Sequence, residues 1–189
     1  LPAHQKNLLR AVQAANPNTV LTVVSSYPYA LGEAMELLPA ILYTTHAGPE
    51  LGNAVADTLL GKNNPAARCP ITWYRSAQDL PDIMEYDIIS AERTYLYDTV
   101  EPLFPFGHGL SYSSFVYRDF TAEEKPEGML FRLTVENTSQ RDGDEVVQLY
   151  YRALHPRVKR PLRQLCGFQR VPVPANTAVP VTIFVPWYA

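Results

Sequence analysis

Cysteine is scarce in this chain of 189 residues. The only two cysteines, Cys69 and Cys166, lie far apart in the sequence. Two distant cysteines can build neither a disulfide framework nor a thiolate metal site, so we predict that both are free thiols. The four histidines are scattered and lack the paired spacing of zinc ligands, which argues against a zinc site.

Net charge and long apolar runs are also lacking. The 16 Lys and Arg residues nearly balance the 19 Asp and Glu residues, which leaves a net charge of −3. Such a weak charge does not by itself draw a protein to nucleic acid or to an anionic membrane. The longest apolar runs, of about six residues, fall well short of the roughly 20 that span a bilayer. We therefore expect neither nucleic acid nor a membrane as a partner.

The start of the chain has no initiator Met and no charged-then-apolar signal pattern. We expect the chain to begin inside a longer protein. Hydrophobic residues make up 47% of the sequence and charged residues 19%, so a core can be buried and wholesale disorder is excluded.

Helix-like and strand-like segments alternate in the first part of the chain. Apolar residues at helical spacing end at Asn16-Pro17, and the β-branched residues 19–24 then predict a strand of a parallel sheet. Further segments continue the series: a helix at 32–38, a strand at 41–45, a helix from Gly48-Pro49-Glu50 to Gly61, and a strand at 69–74. This order is the signature of an α/β fold, and because it starts with a helix its first strands are expected to be missing.

From about Phe115 the apolar period changes from 3.6 to 2. Leu133 and Val135 alternate with polar neighbours, and residues 146–151 and 179–185 alternate in the same way. Such strands predict an all-β sandwich of the fibronectin III or immunoglobulin type over residues 115–189. These residues are fewer than the roughly 100 typical of that sandwich, so a last strand is expected to be missing. Residues 76–114 are interpreted as a folded connector.

Three charged or polar segments could carry chemistry, but each also has a simpler interpretation. The acidic residues Asp79, Asp82, Glu85 and Asp87 could act as paired carboxylates, although a solvated connector is favoured. The basic residues within 157–163 could bind a polyanion, although a solvated loop is favoured. Asn137-Thr138-Ser139 fits a glycosylation acceptor, although an inter-strand turn is favoured. The residues alone therefore give two domains without a catalytic constellation.

A long motif identifies the family that the sequence resembles. Residues 101–112 read EPLFPFGHGLSY, which resembles the Pro-Phe-Gly-(His/Tyr)-Gly-Leu-Ser-Tyr signature of family 3 glycoside hydrolases, the β-glucosidases and β-xylosidases. Residues 47–74 resemble the helix-loop-strand segment of that family, and residues 93–97 the segment before its signature. Residues 135–151 and 160–171 resemble its terminal fibronectin type III-like domain. The resemblance covers nearly the whole chain.

The resemblance implies a division of the chain and a reaction. Residues 1–112, with the connector, would be the C-terminal part of the α/β sandwich domain, and residues 115–189 a fibronectin type III-like domain. Family members are retaining glycosidases without a metal or organic cofactor, in which two carboxylates about 5 Å apart act as nucleophile and acid/base. The nucleophile lies on a preceding (β/α)8 barrel, an intramolecular partner for this chain, and the acid/base glutamate lies upstream of Leu1. No glutamate here inherits that role, so no catalytic residue is assigned.

A substrate-binding rim is predicted from sheet geometry. Ligands gather at the carboxyl ends of parallel strands, and the sugar pocket of the family faces its barrel from that edge. The predicted rim residues are Ser25, Ser26, Tyr27, His46 and Glu50. The alternative is that Tyr27 and His46 pack under loops and that Glu50 only caps its helix.

Two departures from the family pattern weaken the inference of a substrate. Gly48-Pro49-Glu50-Leu51-Gly52 stands where Gly-Gln-Glu-Gly-Gly is common, and Ala67 replaces the glycine usual before Arg68. The leading hypothesis is the C-terminal part of a β-glycosidase acting on β-linked glucosides or xylosides. A non-catalytic carbohydrate- or protein-interaction module is the alternative, because fold alone does not fix function.

Overall fold

The computed structural model describes residues 1–188, which divide into two compact units. The first unit comprises Leu1–Asn53 and Cys69–Phe106, and the second comprises Ala54–Arg68 and the chain from Gly107 onward. The domain limits expected from the sequence, residues 1–112 and 115–189, stay a prediction.

Helices and parallel strands alternate in the first part of the chain, as the sequence predicts. In chain order the elements are helix α1 (Ala3–Ala15), strand β1 (Val20–Val24), helix α2 (Gly32–Leu37), strand β2 (Ala40–Thr44) and helix α3 (Leu51–Leu59). Asn16 ends α1 because its side-chain oxygen accepts a hydrogen bond from the Asn18 backbone at 2.9 Å, which favours a turn over another helical residue. Strands β1 and β2 pair in parallel, with Val24 opposite Thr44.

An aromatic cluster forms the core of the first unit. Trp73 is 2% exposed and packs edge-on against Tyr43, with ring centroids 4.7 Å apart, and against Phe104 at 6.2 Å. Val23 of β1 and Leu31, which directly precedes α2, belong to the same cluster. Burying apolar side chains of this size stabilises a fold by about 1.5–3 kcal/mol each, so this cluster stabilises the pair of strands β1 and β2.

The prediction of a strand at residues 69–74 is wrong. The segment makes one isolated antiparallel bridge, in which the Trp73 N–H donates to the Phe104 carbonyl at 2.8 Å. Pro70 lacks a backbone N–H and Cys69 is restricted by the proline that follows it, so a continuous ladder cannot form. The remaining short elements before the sandwich are a 3₁₀-helix at Ala77–Asp79 and helix α4 at Thr94–Tyr97.

The second unit contains the predicted antiparallel strands. They are β3 (Phe115–Lys125), β4 (Gly128–Asn137), β5 (Gly143–Tyr151), β6 (Gln164–Val173) and β7 (Ala178–Pro186). One sheet has the order β3-β4-β7 and the other pairs β5 with β6. Inward residues of both sheets form one core: Leu133, Val135, Val147, Val171, Val173, Val181 and Ile183. The alternation read from the sequence therefore places apolar side chains on the facing sides of two sheets.

The helices of residues 1–188 give no membrane-spanning candidate, because none is both long and apolar enough.

Candidate functional site

The predicted rim begins at the carboxyl edge of the parallel strand pair. Strands β1 and β2 run in register and end at Val24 and Thr44. The Ser25 backbone N–H donates to the Thr44 carbonyl at 3.0 Å, which holds the two strand exits side by side. The segments that carry the predicted rim residues therefore leave the same edge of the sheet. Their joint action on a substrate stays a prediction.

Ser25 has a structural task within its own turn. Its side chain is buried, and its hydroxyl donates to the Tyr27 carbonyl at 2.8 Å and accepts from the Tyr27 N–H at 3.2 Å. This hydroxyl stabilises the turn, and its one donor position is used within it. Ser26, by contrast, is exposed.

Tyr27 presents an aromatic surface beside the turn. Its side chain is 59% exposed, and its ring lies 5.4 Å from the Tyr29 ring at a tilt of 54°. The hydrogen bond with Tyr29, followed by the charge of that neighbour and by burial, raises the pKa of Tyr27, so its phenol is neutral at physiological pH. An exposed ring with a neutral hydroxyl offers both an apolar face and a hydrogen-bonding group.

His46 and Glu50 follow β2 and precede α3. Both are exposed. The Asn53 side-chain amide donates to Glu50 at 2.5 Å, and the Leu51 N–H donates to the Gly48 carbonyl at 3.1 Å. This arrangement orients the Glu50 carboxylate at the start of the helix. A carboxylate, an imidazole and a phenol can together bind the hydroxyl groups of a polyol.

The acidic connector residues support local turns. Asp79 accepts from the Ser76 N–H at 2.9 Å in a capping box, and Asp82 accepts from the Met84 N–H at 2.9 Å. Asp87 accepts in the same way from the Ile89 N–H at 2.9 Å. Side-chain to backbone bonds of this kind define turns, which agrees with the interpretation as a connector. Within residues 1–188 no group of His, Cys, Asp and Glu side chains could hold a metal ion.

A polar cluster in the second unit was not assigned any role from the sequence. The Asn64 side-chain oxygen accepts from the Ser111 hydroxyl at 2.9 Å and from the Tyr112 N–H at 2.8 Å. Its amide nitrogen donates to the Ser113 hydroxyl at 2.9 Å and to the Asp142 carbonyl at 2.8 Å. All four hydrogen-bonding positions of this amide are therefore used. In the sequence, the one signal that points to Asn64 is its position within residues 47–74, which resemble the family.

Arg68 makes a largely buried ion pair in the same cluster. Its guanidinium lies 2.7 Å from the Glu145 carboxylate, whose other oxygen accepts from the Tyr117 hydroxyl at 2.7 Å. Arg68 also donates to the carbonyls of Ala66 and Ala67 at 3.0 and 3.2 Å. The loop before residue 69 is thereby attached to strands β3 and β5.

The glycines of the signature segment pack tightly against this cluster. Gly107 has a φ of +82°, and a Cβ there would clash with the side chains of Gln148 and Tyr150. A Cβ on Gly109 would clash with the Ala67 carbonyl. Glycine has no Cβ and tolerates a positive φ, so it avoids the backbone strain at residue 107 and the steric clashes at both positions. These two glycines therefore have a structural role.

Burial around the cluster changes two titrations. Burial, and then the hydrogen bond and charge of Glu145, raise the pKa of the Tyr117 phenol well above its usual range. Burial, and then the positive charge of Arg68, lower the pKa of His108 below its ordinary value of 6.5. Both side chains are therefore neutral near pH 7.

The fold and these sites define a class: an α/β segment with a polar strand edge, followed by a fibronectin-like sandwich. Residues 1–112 match the glycosyl hydrolase family 3 C-terminal domain, and residues 145–189 match the fibronectin type III-like domain. The chain belongs to glycosyl hydrolase family 3.

Curated relatives of this chain are glycosidases by name. The chain is 37% identical to probable beta-glucosidase J of Aspergillus fumigatus, covering 98% of this chain and 24% of that protein. It is 37% identical to xylan 1,4-beta-xylosidase of Xylanibacter ruminicola, covering 93% and 20% respectively. This chain therefore spans about a quarter or less of these curated relatives.

Solved structures of beta-glucosidases are also similar to this chain. The beta-glucosidase of Kluyveromyces marxianus in complex with glucose superposes with a TM-score of 0.89 at 32% identity, covering 99% of this chain and 24% of that chain. Beta-glucosidase 3B of Thermotoga neapolitana in complex with glycerol gives a TM-score of 0.89 at 27% identity, covering 98% of this chain and 29% of that one.

Proposed function

We propose that this chain is the C-terminal part of a retaining β-glycosidase that hydrolyses β-linked glucosides or xylosides. In this proposal the chain shapes and supports an active site whose catalytic carboxylates lie upstream. The observation that carries it is the match of residues 1–112 to the glycosyl hydrolase family 3 C-terminal domain, together with similarity over 93–99% of this chain to enzymes named β-glucosidase and β-xylosidase. The turn-forming roles of Asp79, Asp82 and Asp87 are consistent with catalytic groups elsewhere.

The rim at the ends of β1 and β2 is proposed to contact the sugar. Ser26, Tyr27, His46 and Glu50 would bind substrate hydroxyls and one sugar face, while Ser25 holds the turn that presents Tyr27. Retaining glycosidases gain from hydrogen bonds to sugar hydroxyls that strengthen in the transition state. The upstream barrel would supply the opposite wall of the pocket and the nucleophile.

The rim can be tested in the longer protein that contains these residues. Glu50→Gln keeps the shape of the side chain and removes its charge. If Glu50 binds a sugar hydroxyl, the KM for an aryl β-glucoside or aryl β-xyloside should rise about tenfold, the usual value of a hydrogen bond to a charged group. Glu36→Gln, on the exposed surface of α2, is the matched control and should leave KM unchanged.

Two results would count against this proposal. Equal kinetics for Glu50→Gln and Glu36→Gln would remove Glu50 from the rim. A longer protein that binds β-linked oligosaccharides but cleaves no glycoside would favour the alternative of a non-catalytic module. If the longer protein cleaves glycosides, the ratio of kcat/KM for the aryl glucoside and the aryl xyloside identifies the preferred sugar.

A further inference from the structure

The loop between β5 and β6 concentrates positive charge on an acidic protein. Residues 152–163 contain five Lys and Arg residues and no Asp or Glu, whereas the net charge of the whole chain is −3. The cations are Arg152, Arg157, Lys159, Arg160 and Arg163. The positive charge of this loop is therefore a local property that the overall composition conceals.

The loop is exposed, and its base is fixed. The Tyr151 hydroxyl donates to the Gln164 side chain at 2.9 Å across the point where β5 ends and β6 begins. The Arg163 guanidinium lies over the Tyr150 ring, 5.9 Å from its centroid. The two prolines of residues 152–163 restrict the backbone between these ends, which lowers the entropy lost when the loop binds a ligand.

Three of the loop arginines differ from those of the strands. On the strands, Arg118 pairs with Glu136, Arg132 with Glu123, and Arg170 with Asp144. Among residues 1–188, no ion pair engages the loop side chains Arg152, Arg157 and Arg160, which are exposed. These guanidinium groups can therefore bind an external anion without first breaking an ion pair.

We propose that residues 152–163, the basic loop, bind an acidic polysaccharide that carries carboxylate groups on its sugars. The planar fork of arginine matches the two oxygens of a carboxylate. Tyr151 is 49% exposed, and Leu154, Val158 and Leu162 are exposed along the loop, so apolar surface is available for sugar rings between the charges. This binding site goes beyond the proposed hydrolytic function and does not depend on it.

Polymers of phosphate fit the basic loop less well. Single-stranded nucleic acids are bound by stacking successive bases on several aromatic rings, whereas the basic loop offers one exposed ring at its edge, Tyr151, beside the aliphatic side chains Leu154, Val158 and Leu162. Duplex DNA carries one charge per roughly 1.7 Å, so the acidic remainder of this chain repels it more than it repels a polyanion of lower charge density. A polysaccharide with one carboxylate per sugar has a lower charge density and can satisfy a local cluster of arginines.

Affinity electrophoresis of the whole chain tests the proposal. Polygalacturonate in the gel should retard the wild-type chain, and fully methyl-esterified pectin should not. The variant R152Q/R157Q/R160Q should bind polygalacturonate about tenfold more weakly, as expected for the loss of three exposed ion pairs. The control R118Q/R132Q/R170Q removes the same charge from paired strand arginines and should bind within about threefold of the wild type.

A variant with lysine at the three loop positions separates charge from geometry. It should bind between the wild type and the glutamine variant, because lysine keeps the charge and loses the fork. The proposal is overturned if polygalacturonate does not retard the wild-type chain or if the loop and control variants weaken binding equally. Equal or tighter binding to duplex DNA, or to vesicles containing phosphatidylserine, would assign the basic loop to another ligand class and also overturn it.

Discussion

The buried ion pair of the second unit gives the sharpest prediction about stability. Arg68→Met keeps much of the apolar stem of the side chain and removes its charge. Glu145 would then keep the hydrogen bond from Tyr117 and lose its charged partner 2.7 Å away. The side chains of Arg68 and Glu145 are 13% and 10% exposed, so water cannot replace that partner easily.

The expected loss of folding free energy follows from the burial of the ion pair. Breaking a buried ion pair from one side costs about 3–5 kcal/mol. We expect about 3 kcal/mol for Arg68→Met, the lower end, because Tyr117 still donates to Glu145. Arg132→Met, which removes an exposed pair with Glu123, is the matched control and should cost under about 1 kcal/mol.

Hydrogen exchange in urea measures the effect where it occurs. Peptides from β5, Gly143–Tyr151, should report the loss of protection in Arg68→Met. The double variant Arg68→Met/Glu145→Met should recover part of the lost stability, because an apolar pair can replace a buried ion pair. If Arg68→Met loses no more stability than Arg132→Met, the ion pair between Arg68 and Glu145 does not stabilise the second unit as expected.

Three further predictions concern pH, glycine and cysteine. Because the folded-state pKa of His108 is lowered, the second unit should lose stability as pH falls below 6.5. In thermal melts, His108→Gln should reduce the dependence of the melting temperature on pH in this range. An unchanged dependence would contradict the prediction. Gly109→Ala should cost roughly 1–3 kcal/mol in urea unfolding, whereas Gly48→Ala, with open space around its Cβ, should not. Burial raises the pKa of the Cys69 and Cys166 thiols, so both should be alkylated slowly in the folded chain. After unfolding without reductant, both should be alkylated. An intramolecular disulfide in the mass spectrum would contradict this prediction.

Periodicity predicted most of the fold because the patterns were local. Helical spacing placed α1 and α3, and alternation placed strand β4, which contributes Leu133 and Val135 to the core. The segment at residues 69–74 was misassigned because its apolar side chains resemble a strand, whereas Trp73 is buried by an aromatic cluster and Pro70 prevents a ladder. Both free cysteines were predicted correctly.

Only part of the predicted rim could be derived from the sequence. The rule for parallel strands correctly placed the exits after Val24 and Thr44 at one edge. It could not show that the Ser25 hydroxyl is used within its own turn, since that depends on local backbone geometry. The contact between Arg68 and Glu145 joins residues 77 positions apart and has no local pattern, so only the fold reveals it.

An activity assay of the purified chain tests the proposal that the catalytic carboxylates lie outside these 189 residues. General acid-base assistance alone contributes roughly 10²- to 10⁴-fold to a rate, so a chain without the catalytic pair should leave aryl β-glucosides and β-xylosides uncleaved even at high protein concentration. Turnover of either substrate that disappears when Glu50, Asp79, Asp82 or Glu85 is changed to Ala would contradict the claim.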